Sequence, residues 1–137
     1  MKEPLIGEDV VLKGSKVKKV AQNEAMGTTE WTLKNGIQVI VKQTPYEADA
    51  INIEAVADGG AAIFSDEDYY SAQMLSSVMS MSGISKFSAS DLRKQLSGKQ
   101  ASVGLGAYEN EHMITGRAAL KDVETMFQLL YLHFTAP

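Results

Sequence analysis

The clearest pattern of apolar and polar positions lies in the middle of the chain, where it predicts one helix over residues 65–83. Apolar residues recur there at spacings of four, four and three, the period of a helix with one buried face. Ser65 followed by Asp68 resembles a capping box, and Gly83 stands where a left-handed residue often ends a helix. The apolar positions are Tyr70, Met74, Leu75, Val78, Met79 and Met81.

Before this helix, shorter patterns predict strands. Asn35-Gly36 lies between two apolar runs, which is a strong hairpin signal, so we expect strands at residues 31–33 and 37–42. Residues 50–57 alternate between an apolar and a wetter face, which is typical of a half-buried strand.

After the helix, Ser88 and Asp91 form a second capping box that opens a short helix ending at Gly98. Strands are predicted at residues 101–108 and 112–118, around a turn at 109–111. A last helix over residues 120–134 has a stripe at Val123, Phe127, Leu130 and Phe134, widened by Met126, Leu129 and Leu132. The order β-β-β-α-α-β-β-α predicts an α+β fold, an antiparallel sheet with helices packed on one face.

Composition leaves the predicted fold unchanged but excludes several kinds of site and partner. The chain has 137 residues, is 45% hydrophobic and has a net charge of −4, which suits a soluble domain or part of one and disfavours a nucleic-acid partner. It has no cysteine, so disulfides and thiolate metal sites are excluded. No apolar run approaches the ~20 residues of a membrane span.

The first 27 residues are rich in charge and differ from the rest. They are interpreted either as a solvated lead-in or as a connector that lies on a preceding domain. We therefore divide the chain into a connector, residues 1–27, and a domain, residues 28–137.

Three further features invite a chemical interpretation, and each has a simpler structural one. Gly104 and Gly106 form a G-x-G, but it lies inside a strand pattern without the third glycine and helix start of a dinucleotide site. The sequence Glu109–His112 with the distant His133 is a weak candidate for a metal site, since it offers only two histidines. The many serines include none in a G-x-S-x-G elbow.

Five segments in order resemble one family. They are E-W-T-L-K-N-G-I-Q-V-I-V-K, the Gly59-Gly60 pair, Y-S-A-Q-M-L-S-S-V-M-S-M-S-G, F-S-A-S-D-L-R-K-Q-L-S-G-K, and D-V-E-T-M-F-Q-L-L-Y-L-H-F-T-A-P. This set is similar to the pitrilysin/insulinase-type zinc metallopeptidases, whose motif is an inverted H-x-x-E-H on a helix. More narrowly, it resembles the non-catalytic second half of the long bacterial members, and it implies a metallopeptidase-like half or partial domain.

The resemblance also implies where the zinc-binding residues would stand. Aligned on Gly83, the motif positions fall on Met74, Ser77 and Val78; aligned on the Gly-Gly pair, they fall on Gln73, Ser76 and Ser77. No His or Glu occurs between Asp68 and Tyr108. We therefore expect no catalytic residue, metal ligand or cofactor in this chain, and zinc in the catalytic domain of the parent protein.

The function implied is that of a fragment from the inactive half of a zinc-dependent endopeptidase, which helps to enclose a peptide substrate. Its partners would be the catalytic domain of the same polypeptide and the peptide, which edge-strand addition beside Gly104 and Gly106 would bind. More chain is expected after Pro137. Related bacterial proteins are often exported, which implies the periplasm or cell envelope. The alternatives are a non-peptidase scaffold or assembly module of the same fold, and an unrelated α+β binding domain.

Overall fold

A computed structural model describes residues 4–7 and 10–137 of the chain. Within these residues it contains two three-stranded antiparallel sheets and three α-helices, with short 3-10 helices at Ala61–Ile63 and Leu120–Asp122. The α+β fold class predicted from the sequence is confirmed. In chain order the elements are β1 (Val17–Asn23), β2 (Thr28–Leu33), β3 (Gln38–Val41), β4 (Ala50–Asp58), α1 (Tyr69–Met81), α2 (Ala89–Gln95), β5 (Ala101–Ala107), β6 (Glu111–Ala119) and α3 (Val123–Thr135).

The chain divides into two compact units. One comprises Glu8–Ala48, and the other combines Met1–Gly7 with Asp49–Pro137. The predicted element order placed no strand before Thr28, and β1 shows that this part of the prediction is wrong. The lysines around Val17 and Val20 hid the strand pattern, and they are tolerated because β1 is an edge strand. Residues 1–3 and 8–9 of the predicted connector lie outside the described residues, and its role as a connector stays a prediction.

In the Glu8–Ala48 unit the sheet order is β1-β2-β3. The predicted hairpin is present: the Leu33 N–H donates to the Ile37 carbonyl at 2.8 Å, and Gly36 has φ +93°, a conformation that favours glycine. Trp31 stands between Val20 on one neighbouring strand and Val39 on the other. Such cross-strand pairs of aromatic and β-branched residues stabilise a sheet.

In the larger unit β6 is the central strand, between β4 and β5. Ile51 and Ile53 are half-buried while Asn52 and Glu54 are exposed, so the predicted alternation is confirmed in the first half of the strand. In the second half Ala55 and Ala57 are exposed as well, and there the prediction is wrong. At Gly116 on β6, an added β-carbon would lie 3.1 Å from the Met126 sulfur. The missing side chain therefore lets α3 lie close to the sheet.

The core of this unit is built around α3. Its buried residues are Thr125, Met126, Leu129 and Leu132. Phe127 and Phe134, from the stripe that the spacing predicted to be buried, are 51% and 69% exposed, so this prediction is wrong. The residues that had only widened the stripe form the core instead. Leu129 and Leu132 belong to one cluster with Leu5, Ile84 and Phe87, whereas Met126 is buried against Gly116 of the sheet.

The start of α3 is tied to the start of β5 by Asp122, which is 3% exposed. Its Oδ2 accepts a hydrogen bond from the Gln100 N–H at 2.9 Å, and its Oδ1 lies 3.2 Å from the Lys99 Nζ. The backbone hydrogen bond from Gln100 is the main reason that the pKa of Asp122 is lowered. The carboxylate is therefore held in its charged form.

Candidate functional site

The helix on which the sequence analysis placed the degenerate motif positions is α1. It begins at Tyr69 rather than at Ser65. Ser65 and Asp68 do pair, with the Ser65 Oγ donating to the Asp68 Oδ2 at 2.9 Å and accepting from the Asp68 N–H at 3.3 Å. This pair forms a turn just ahead of the helix, since Asp68 stands at the N-cap position and its side chain makes no capping hydrogen bond there.

The end of α1 also differs from the prediction. The helix ends at Met81, and Gly83 is not in the left-handed conformation. A β-carbon at Gly83 would instead overlap the carbonyl oxygen of Phe87. The glycine is therefore required by the close approach of the connector after α1, which turns back on itself through the bridge between Ile84 and Phe87.

Small side chains fix α1 on the sheet. Ala72 is 7% exposed, and Ser76 and Met79 are half-buried on the same side of the helix. The Ser76 Oγ accepts a hydrogen bond from the Ala107 N–H of β5 at 3.1 Å. Because Ala72 and Ser76 are short, the helix backbone can lie close to β5.

The face that the sequence predicted to be buried is the exposed one. Tyr70 is 74% exposed, Met74 63% and Met81 73%. This prediction is wrong because the sheet accepts the side with Ala72 and Ser76, not the side with the larger residues. The exposed set, which we name the α1 stripe, consists of Tyr70, Met74, Leu75, Val78 and Met81.

The predicted motif positions Met74, Ser77 and Val78 all lie on exposed sites of α1. In the alternative alignment, Ser76 is half-buried and bound to Ala107, so only Gln73 and Ser77 are exposed. Neither set offers an imidazole or a carboxylate. The exposed ones present thioether, hydroxyl, carboxamide and aliphatic groups to their surroundings.

The weak metal candidate from the sequence involves residues in different settings. His112 is paired with Ala57 in the sheet, and its ring lies beside Gly59, where an added β-carbon would be 3.0 Å away. His133 lies in the last turn of α3; its Nδ1 is buried and, among the described residues, has no hydrogen-bond partner. Burial lowers the pKa of His133. No group of three His, Asp or Glu side chains that would hold a metal ion occurs in the described part of the chain.

The glycines Gly104 and Gly106 lie inside β5, as the strand pattern predicted. A β-carbon at Gly104 would lie 3.2 Å from the Thr115 Oγ1 on the neighbouring strand. Neither glycine opens a helix, so they do not form a phosphate-binding turn. Among the described strands β5 pairs only with β6, which leaves its outer edge without a partner strand.

The register also reveals a polar surface that the sequence did not. Asn52 and Ser102 lie opposite Arg117, and Glu54 and Gly104 lie opposite Thr115. The Arg117 Nη1 donates to the Asn52 Oδ1 at 3.2 Å. These residues share a shallow concavity on the sheet. Only the strand pairing shows which residues stand beside Arg117.

No helix among the described residues is long and apolar enough to cross a membrane.

Comparison with known proteins gives the fold a context. No protein-family model and no curated protein matches the sequence. The structure is similar to that of the periplasmic protease PqqL from Escherichia coli, at 19% identity and a TM-score of 0.85, over 99% of this chain and 15% of that one. It is also similar to the ferredoxin protease FusC, solved as a point mutant in complex with Arabidopsis ferredoxin, at 20% identity and a TM-score of 0.80, over 100% of this chain and 15% of that one.

The likeness runs along the whole chain and supports the metallopeptidase-like fold that the five sequence segments implied. The chain thus has the fold of one segment of these proteases and spans about 15% of the length of each.

Proposed function

We propose that this chain belongs to the non-catalytic half of a zinc-dependent endopeptidase and helps to enclose its peptide substrate. The observation that carries the proposal is the likeness of nearly the entire chain to segments of two larger proteases. In this proposal zinc is held by a catalytic domain elsewhere in the same polypeptide. This chain supplies a wall, and its partners are that domain and the peptide.

The composition of α1 supports the non-catalytic part of this proposal. At the motif positions the chain has Met74, Ser77 and Val78, and the nearest Glu or His on either side of α1 is Glu67 or Glu109. Water activation by zinc needs imidazole, carboxylate or thiolate ligands and a general base, and thioether, hydroxyl and aliphatic side chains provide neither. Any peptide hydrolysis would then depend on residues outside this chain.

The outer edge of β5 supports a contact with extended peptide. An added strand would pair with main-chain groups of that edge, as in other proteins that bind peptides by β-addition. The Ala107 N–H already donates a hydrogen bond to the Ser76 hydroxyl. Strand addition would therefore be confined to the part of β5 before Ala107. A Gly104 substitution is a poor probe of it, because a side chain there would also press on Thr115.

The proposal is tested on the native protein. Antibodies raised against the 137-residue chain should detect a polypeptide of about 100 kDa, since 14.9 kDa is 15% of that mass. The purified native protein should contain about one zinc per polypeptide and cleave peptides, and a chelator should abolish the cleavage. The isolated chain should do neither, and stoichiometric zinc in it would refute the proposal.

A scaffold or assembly module of the same fold is the second candidate. The absence of ligand-type side chains at the motif positions favours it as much as the inactive half of a peptidase. A native protein of similar length that contains no zinc and cleaves no peptide would establish it in place of the first.

A further inference from the structure

The surface that stands apart from the rest of the larger unit is the α1 stripe. All of α1, from Tyr69 to Met81, lacks a charged side chain. The side of a helix that faces water normally carries charged or strongly polar residues. The neighbouring helix α2 shows the normal pattern, with Asp91, Arg93 and Lys94 among its seven residues.

The stripe is large for a surface that remains in water. Its five side chains are between 43% and 74% exposed, and together they present roughly 600 Å² of mainly apolar surface. The largest apolar patch on a typical monomer is about 300–600 Å², and one partner in a stable interface buries about 800 Å². Ile63 and Phe64, just before α1, are also exposed. The area therefore approaches that of one side of an interface.

The helix cannot rotate about its axis to bury the stripe. The opposite side is held by buried Ala72 and by the hydrogen bond from Ala107 to Ser76, and the helix end is fixed by the close contact of Gly83 with Phe87. Tyr70 and Met74 are too large for the place that Ala72 and Ser76 occupy. The stripe is thus a preformed surface, which lowers the entropic cost of docking.

We propose that the α1 stripe docks permanently on an uncharged, apolar face of the remaining part of the same longer polypeptide. The inference rests on the proposed function, which supplies that polypeptide. The chemistry of the stripe selects the partner: a charged surface would lose its hydration against these side chains and gain no pairing. The core of a permanent interface is apolar and depleted in charge, as the stripe is.

Cysteine labelling tests this directly, because the chain has no cysteine of its own. Met74→Cys and Val78→Cys are made in the isolated chain and in the longer native protein, and thiol labelling at each site is followed by peptide mass spectrometry. Lys94→Cys on α2 is the matched control. We expect labelling at positions 74 and 78 to be about 100-fold slower in the longer protein, and labelling at position 94 to change by less than about threefold.

Equal labelling of position 74 in both proteins would overturn the inference, since the stripe would then face solvent. If the longer protein still contained zinc and cleaved peptides, the proposed function would stand and only the docking surface would be wrong. Protection in the isolated chain, accompanied by dimers in sedimentation, would assign the stripe to a second copy and would also overturn it. Circular dichroism of each variant excludes misfolding. As a second measurement, Met74→Lys should lower the melting temperature of the longer protein but leave that of the isolated chain unchanged.

Discussion

Helices α1 and α2 belong to the same unit, and both expose most of their residues, yet they are built differently. In α2 the Ser88 Oγ accepts from the Asp91 N–H at 3.2 Å, and the Lys94 Nζ lies 3.3 Å from an Asp91 oxygen. The helix satisfies its own polar groups with neighbouring residues in the sequence. In α1 no residue is charged, and the exposed side carries the apolar α1 stripe. Exposure in an isolated chain therefore does not mean that a surface is adapted to water.

The contrast between the two helices depends on how α1 is held on its unit. The substitution with the largest expected effect disrupts that contact. Gly83→Val should prevent the larger unit from folding or cost it more than about 3 kcal/mol, because a β-carbon would overlap the Phe87 carbonyl. Urea denaturation measures the loss. Gly14→Ala, at a position with no atom within 4 Å of the added β-carbon, is the control and should be nearly neutral. A stable Gly83→Val protein would show that the connector after α1 can move.

The two sides of α1 are compared by one substitution on each. Ala72→Leu should destabilise the chain by about 1–3 kcal/mol, because Ala72 is buried where the helix lies close to the sheet. Met74→Leu, on the stripe, should change the stability of the isolated chain by less than about 0.5 kcal/mol. Similar losses from both substitutions would mean that α1 is not packed by the Ala72 side.

Two adjacent serines give a finer comparison. Ser76→Ala should cost about 1 kcal/mol, since the half-buried Ala107 N–H would lose its acceptor. Ser77→Ala changes the same atoms on an exposed site and should have almost no effect. Thermal unfolding of the pair measures the difference, and a Ser77 variant that loses as much as the Ser76 variant would contradict the assignment of faces.

The capping serines test the start of each helix. Ser88→Ala should cost about 1 kcal/mol, whereas Ser65→Ala should cost less because α1 begins beyond its reach at Tyr69. The hydrogen bond from Ser88 is the largest cause of the lowered pKa of Asp91. An NMR titration should therefore show this pKa rising in the Ser88 variant, and an unchanged titration would argue against the bond.

The smallest expected effect is a pH dependence from His133. Burial lowers its pKa below the ordinary value of about 6.5, so between that pH and the lower folded pKa the unfolded chain binds the proton and the folded chain does not. Stability should therefore fall as the pH drops from about 6.5, before most carboxylates titrate. Denaturation at pH 7 and pH 5.5 checks this, and His133→Gln should flatten the dependence.

Much of the fold follows from local patterns in the sequence. The Asn35-Gly36 turn, the alternation of Ile51 and Ile53, and the cap at Ser88 each depend on residues a few positions apart, and each is present. β1 was missed because lysines on an edge strand resemble those of a solvated segment.

The buried faces of the helices could not be obtained in the same way. On both α1 and α3 the spacing selected the side with the largest apolar residues, such as Met74 and Phe127, and both of these are exposed. The packed side depends on how closely the sheet admits the helix backbone, and Ala72 and Ser76 fit where larger residues do not. The signal available in the sequence was the four-residue spacing of these small residues. The polar surface around Arg117 needed the strand register, which the sequence does not show.

Leu5 is part of the core cluster of the larger unit, although residues 8–48 between it and β4 form a unit of their own. In connectivity, the three-stranded sheet is an insertion within the unit that Leu5 helps to build. The hairpins of this sheet join strands that are neighbours in the sequence, so they form quickly. Leu5 contacts the core around Leu129 only when the long stretch of chain between them has closed into a loop, which costs entropy. We therefore expect the inserted sheet to fold first, and loss of the first seven residues to destabilise the larger unit without changing the folding rate of the sheet.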